Sequence, residues 1–227
     1  MRFSVFFLCI HLGALFCQSN MKLTILPQWQ GGDFVLDSTY VLSPTHFISI
    51  DVCKFYVSDI TFLKDSLIVY REKNSFHLLD SEYRGTFDLN FNVSKFSNVD
   101  RVRFQLGIDS LTNVSGAMGG DLDPTKGMYW TWQTGYINAK IEGKSSLSSA
   151  RKNSFVFHIG GFKKPFYTLK TIELPVIVQN NKIELILDLS SFIEAIDMKL
   201  HNHIMSPSGE ADKIAGLLSE NFKAGNK

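Results

Sequence analysis

The sequence predicts an all-β fold, an antiparallel β-sandwich or barrel-like domain with a short C-terminal helix. Three observations carry that prediction. Ten short apolar or alternating runs recur at close spacing with turn residues between them, the pattern of a protein built from many short strands. The 227 residues include 19 Phe within an aromatic content of 13%, and such side chains suit pleated, half-buried surfaces. Only near the end does the period change. There Ala211, Ile214, Ala215, Leu218 and Phe222 fall at offsets of three and four, which is a helical stripe.

Taken in order, the chain opens with Arg2 and an apolar run from Phe3 to Phe16, interrupted by Ser4 and His11. This is the layout of a signal-peptide core, and it is shorter than the ~20 residues that span a bilayer. Residues 1–19 therefore read as a signal peptide and 20–227 as one domain, exported to the periplasm, the cell surface or the medium. Lipidation of Cys17 is disfavoured by the bulky Phe16 before it. Removal of the signal takes Cys9 and Cys17 away, leaving Cys53 without a disulfide partner and best read as a buried thiol.

The strand runs follow: Lys22 to Leu26, Ile48 to Phe62, Leu67 to Tyr70, Phe76 to Leu79, Thr86 to Phe91 and Val102 to Leu106. After a short helix predicted at Asp109 to Val114 come Met128 to Ile141, Ser154 to His158, Thr168 to Leu174 and Lys182 to Leu189. Alternation is cleanest in Ile48–Cys53, with even positions apolar, and in Ile183–Leu189, with odd ones apolar; each has one dry face. Ser206-Pro207-Ser208-Gly209-Glu210 supplies cap residues and an acidic first turn for the terminal helix. Sequons occur at Asn92 and Asn113, of consequence only in a host that glycosylates exported proteins.

Composition narrows the function. Lys+Arg at 23 against Asp+Glu at 22 gives a net charge of +1 with no basic block, so nucleic acid is not an expected partner. The chain has no G-x-S-x-G elbow, HExxH or P-loop, and no enzyme activity is expected from it. The informative stretch is Gly107 to Gly143, a loop rich in Gly and Asp that feeds an aromatic run. On strand alternation Trp130 and Trp132 share a face. Two such rings fill a core, form a stacking platform for a carbohydrate or peptide together with Tyr136, or wall a metal site.

Residues 120 to 136, GDLDPTKGMYWTWQTGY, closely resemble the hallmark of the MbnP-like family, exported copper-binding proteins associated with methanobactin gene clusters. Supporting segments are Phe55-Tyr56-Val57-Ser58-Asp59-Ile60, Phe76-His77-Leu78-Leu79-Asp80, Phe157-His158-Ile159-Gly160-Gly161 and His203-Ile204-Met205-Ser206-Pro207. The resemblance implies Cu(I) held by histidines and by a Trp oxidised to kynurenine, the oxidation being performed by a di-haem peroxidase-like partner. It points to His158 and His203 as nitrogen ligands, with His201 and His77 as further candidates, and to Trp130 or Trp132 as the oxidised residue. Gly120, Asp121, Asp123, Pro124 and Gly127 form the signature loop. Some of these relatives have Asn-His where Gly120-Asp121 stands, and several carry four cysteines. Asp121 is a hard oxygen donor, poorly matched to Cu(I); Asp121 and Asp123 suit turn hydrogen bonds or, more weakly, Ca²⁺.

Overall fold

The computed structural model describes residues 19–93, 99–132 and 135–225, so most of the predicted signal peptide lies outside the described residues. In chain order the strands are β1 (Ser19–Trp29), β2 (Gly32–Asp33), β3 (Tyr40–Ser43), β4 (His46–Lys64), β5 (Leu67–Arg71), β6 (Phe76–Asp80), β7 (Asp88–Val93), β8 (Arg101–Leu106) and β9 (Tyr129–Trp130). They continue as β10 (Gly135–Tyr136), β11 (Ala139–Ser145), β12 (Ser154–Ile159), β13 (Phe162–Lys163), β14 (Phe166–Tyr167), β15 (Lys170–Pro175), β16 (Lys182–Asp188), β17 (His203–Ile204) and β18 (Phe222–Ala224). The helices are α1 (Ser110–Val114), α2 (Leu189–Glu194) and α3 (Gly209–Glu220).

The fold is mostly β, as expected. One sheet has the path β18-β16-β1-β2, with β7 on β1; the larger has the path β15-β8-β4-β11-β12-β17, with β3, β5 and β6 also on β4. Pairing is largely antiparallel, but β1–β16 and β12–β17 are parallel. Parallel strands need a crossover; the chain supplies one by building the larger sheet between β1 and β16, and the other by passing through α2.

The main core lies where the inner faces of the two sheets meet α2 and α3. It includes Leu23 and Ile25 from β1, Phe55 and Val57 from β4, Phe157 from β12, Leu185 from β16, and Ile214 and Leu218 from α3. A bulge in β4 sets which residues reach it. Glu142 pairs with Val52 but Gly143 with Ile50, leaving Asp51 as the extra residue. The inward phase switches there from Ile48 and Ile50 to Cys53, Phe55 and Val57, while Val52 turns outward. Gly143 is required opposite the bulge, because a Cβ there would lie 2.0 Å from the Ser49 carbonyl oxygen. Cys53 is buried, and desolvation pushes its thiol pKa up to about 12.

Two local expectations change, and one element is new. Met128 to Ile141 is not one strand but the hairpin β9–β10 followed by β11. Gly135 permits this by letting the Phe162 ring approach a backbone that carries no Cβ. The helical stripe stops at α3, capped by Ser208 Oγ accepting from Ala211 N at 3.0 Å. Phe222 instead belongs to β18, its ring packed on Phe55 and Phe104. Helix α2 has no counterpart among the sequence expectations; it begins because Asp188 accepts from Ser191 N at 3.1 Å and ends the preceding strand.

Candidate metal centre

Bulged β4 presents Tyr56 outward, and a second, smaller apolar cluster forms on that face beneath the loop from Ile108 to Ile137. It comprises Tyr56, Leu78, Ile108, Leu122, Met128, Trp130, Tyr136 and Ile137. The loop is pinned by polar side chains. Asp109 caps α1 through Thr112 N, and buried Asn113 donates to the Ile108 and Asp109 carbonyls while accepting from Tyr136 N at 2.8 Å. Buried Asn138 accepts from Ile108 N at 3.0 Å and donates to Thr168 Oγ1 at 2.9 Å. Tyr136 Oη accepts from Met118 N.

The signature loop residues take structural roles. Gly120 and Gly127 have φ of +67° and +74°, conformations that disfavour a side chain. Asp121 accepts from Leu78 N at 3.0 Å and from Lys126 Nζ, while its carbonyl receives the Tyr56 hydroxyl at 2.9 Å. Asp123 accepts from Thr125 N and Oγ1 at 2.8 and 2.7 Å, with Pro124 opening the 3₁₀ turn that Gly127 ends. The Asp123 bonds are the turn chemistry expected of the Asp pair, whereas Asp121 ties the loop to Leu78 of β6.

His158 lies on the same outer face. Register places it opposite Lys140, itself opposite Lys54, and Lys54 opposite Asp80. His158 Nε2 is 2.7 Å from Glu142 Oε1, and Lys140 Nζ is 3.3 Å from the same oxygen. Burial opposes the charge on Glu142, but the His158 hydrogen bond and the Lys140 ammonium outweigh it and lower its pKa. The carboxylate is therefore an acceptor. Burial lowers the His158 pKa despite the raising effect of Glu142, so the imidazole is neutral with its proton on Nε2. That leaves the lone pair on Nδ1, which is buried without a hydrogen-bond partner.

Trp130 stands one same-face step further along the strand direction. A Cβ at Gly160 would lie 2.6 and 2.8 Å from Trp130 Cζ3 and Cη2, so the indole rests on bare backbone two residues beyond His158. Trp130 is 5% exposed and its Nε1 is also buried without a partner. Trp132 is 65% exposed, with its ring centroid 5.8 Å from that of Trp130. The pair is adjacent, but only one ring faces solvent. Burial of Trp130 and Tyr136 removes two of the three rings that a carbohydrate- or peptide-stacking surface would need.

His203 is exposed and pairs with Val156 across β12–β17, which puts it diagonal to His158 on the same face. The other candidates lie apart. His77 pairs with inward-facing Val57; its Nε2 is 2.8 Å from Glu72 Oε2, and its ring packs edge-on to Phe91. His201 Nδ1 is 2.5 Å from Glu210 Oε1 at the start of α3. On the outer face of β12, His203 thus lies on one side of His158, beside Val156, and Trp130 on the other, at Gly160, with Trp132 next to Trp130; His77 and His201 pair with Glu72 and Glu210 instead. Met128 is fully buried under the loop, whereas Met205 is 41% exposed. Among the described residues no group of three or more His, Cys, Asp and Glu side chains has metal-holding geometry.

Sequence reasoning misses Glu142, Lys140 and Asn138, which approach their partners only through strand pairing. Gly160 carries a faint signal in the Gly160-Gly161 pair, a spacing that admits a large ring.

Comparison with known proteins gives a consistent result. A family model described as MbnP matches residues 18–206, a span that includes the signature loop and all four candidate histidines. A solved structure, MbnP from Methylosinus trichosporium, superposes with a TM-score of 0.57 at 12% identity, covering 83% of this chain and 81% of that one. No curated protein matches the sequence significantly. Among the described residues no helix is long and apolar enough to cross a membrane.

Proposed function

Because this chain belongs to the MbnP family, we propose that it is an exported copper-binding protein, not an enzyme, in which His158, His203 and an oxidised Trp130 hold Cu(I). One observation carries the reading: Nδ1 of His158, on the outer face of β12, and Nε1 of Trp130, whose ring rests at Gly160 two residues beyond, are both buried without partners. Each such atom costs roughly 1–3 kcal/mol, and a ligand that engages this corner accounts for keeping both. Imidazole nitrogens in an apolar setting suit Cu(I), and Glu142 fixes the His158 tautomer that offers Nδ1.

An indole N–H has no lone pair for a metal. Oxidative cleavage of the Trp130 C2–C3 bond adds two oxygen atoms, and hydrolysis of the resulting formyl group releases formate. The product, kynurenine, carries an aniline-type nitrogen with an available lone pair. A di-haem peroxidase-like protein supplies the oxidising equivalents in this scheme.

The test is to make the chain alone and together with such a partner. After co-production the Trp130 peptide gains one oxygen and loses one carbon, and Cu(I) affinity, measured by competition with bicinchoninate, appears only in that form. Full affinity in unmodified protein, or affinity retained after Trp130→Phe, overturns the reading.

A further inference from the structure

We propose that Trp132 is the surface relay through which an external one-electron oxidant reaches buried Trp130. The inference rests on the reading above that Trp130 is the residue oxidised. A haem protein cannot bring its cofactor against a ring that is only 5% exposed. Trp132 is 65% exposed, and its ring centroid lies 5.8 Å from that of Trp130 at an interplanar angle of 46°. The two indoles have closely similar redox chemistry, so an electron vacancy on one passes to the other over this gap with little driving force required.

Electrons and atoms balance along this route. A peroxide-charged haem protein accepts one electron from Trp132 and is reduced by one electron, leaving an indole radical cation. Trp130 then gives one electron to Trp132, which is restored, and the radical cation resides on Trp130. When water supplies both oxygens, cleavage to the formyl product withdraws four such electrons and releases four protons. The surroundings direct damage to the buried ring. The radical on exposed Trp132 is refilled by its neighbour, whereas Trp130 has no further indole behind it: the third tryptophan, Trp29, stacks on Tyr40 in the main core.

The experiment uses the full mature chain and photo-oxidised tris(bipyridine)ruthenium, a bulky one-electron oxidant, with peptide mass mapping of both tryptophans. In the wild type, oxidation accumulates at Trp130. Trp132→Phe, which removes the relay at an exposed position, slows Trp130 oxidation by about tenfold or more, equivalent to about 1.4 kcal/mol on the barrier. Trp132→Tyr, which keeps an oxidisable ring, restores much of the rate. Unchanged Trp130 oxidation in Trp132→Phe, or accumulation of product at Trp132 with Trp130 intact, overturns the relay. The copper reading fails separately, when Trp130 is oxidised through Trp132 and the product does not bind Cu(I).

Discussion

Glu142 accepts a 2.7 Å hydrogen bond from Nε2 of His158, and this one contact decides which imidazole nitrogen is left for a ligand. Glu142→Gln removes the charge that holds the tautomer and gives the amide a choice of donating or accepting. Partners that orient a ligating imidazole in this way are worth about 10–100-fold in metal affinity. The variant, once carrying oxidised Trp130, is expected to lose Cu(I) affinity in that range in a bicinchoninate competition, with its thermal unfolding midpoint little moved.

The ligand set can be separated by substitution. His203→Ala, which deletes one of the two proposed imidazole donors, is expected to weaken Cu(I) binding by at least about tenfold in the same assay. His77→Ala is expected to leave binding unchanged, since its imidazole is engaged with Glu72 and the Phe91 ring on the inner side of the sheet. Equal losses from both substitutions contradict the assignment.

Acid titration follows from His158 and His46, whose pKa values are both lowered from 6.5, chiefly by burial. A base with a depressed folded-state pKa is protonated first in the unfolded chain, so the unfolded state binds more protons and stability falls on acidification. Their contribution is fully present above the unfolded value near 6.5 and is lost as pH drops from there toward the lowered folded values. Urea midpoints measured from pH 7.5 downward are expected to decline in that window. Most of the decline comes from His158, because solvent screens the more open His46. Its size is up to about 1.4 kcal/mol for each tenfold weakening of proton binding at His158. In His158→Gln the decline is shallower.

Strand runs such as Val102 to Leu106 and Lys182 to Leu189 are legible in the sequence because alternation is a local property, and β8 and β16 coincide with them to within a residue or so. Phe222 reads as helical because its position in the period matches Leu218, although it lies past the end of α3 and is held by cross-sheet aromatic contacts. The aromatic run reads as one strand because nothing local marks the break before Gly135, whose missing side chain makes room for the distant Phe162 ring. Motif resemblance names His158, His203 and Trp130, yet their placement along β12 depends on parallel β12–β17 pairing and on the seat of the indole at Gly160. Neither is visible in composition or period. Glu142 lies sixteen positions from His158 and meets it only because β11 and β12 are antiparallel neighbours.

Asn138 is one of the two buried amides that pin the loop over the site. It is 3% exposed, bonds Ile108 N and Thr168 Oγ1, and sits against Gly107, where a Cβ would lie 2.4 Å from its Cγ. Asn138→Ala leaves a buried backbone donor unsatisfied, at a cost of roughly 1–3 kcal/mol. Denaturant unfolding is expected to report that loss, and hydrogen exchange is expected to quicken at Ile108 first. Uniform exchange across the main core with Ile108 still protected argues against it.

Gly160→Ala tests the seat of the indole directly. The added methyl would lie 2.6 Å from Trp130 Cζ3 and 2.8 Å from the Tyr136 carbonyl oxygen, and neither neighbour is the free end of a flexible chain. Overpacking of a closed site costs typically about 1–3 kcal/mol. The ring is pushed off the sheet, so its environment changes along with stability. A fall in the urea midpoint accompanied by a red shift of the Trp130 emission, read in a Trp29→Phe, Trp132→Phe background, is the expected result. An unchanged spectrum at reduced stability places the strain on Tyr136 instead, and an unchanged midpoint contradicts the close packing of Trp130 on Gly160.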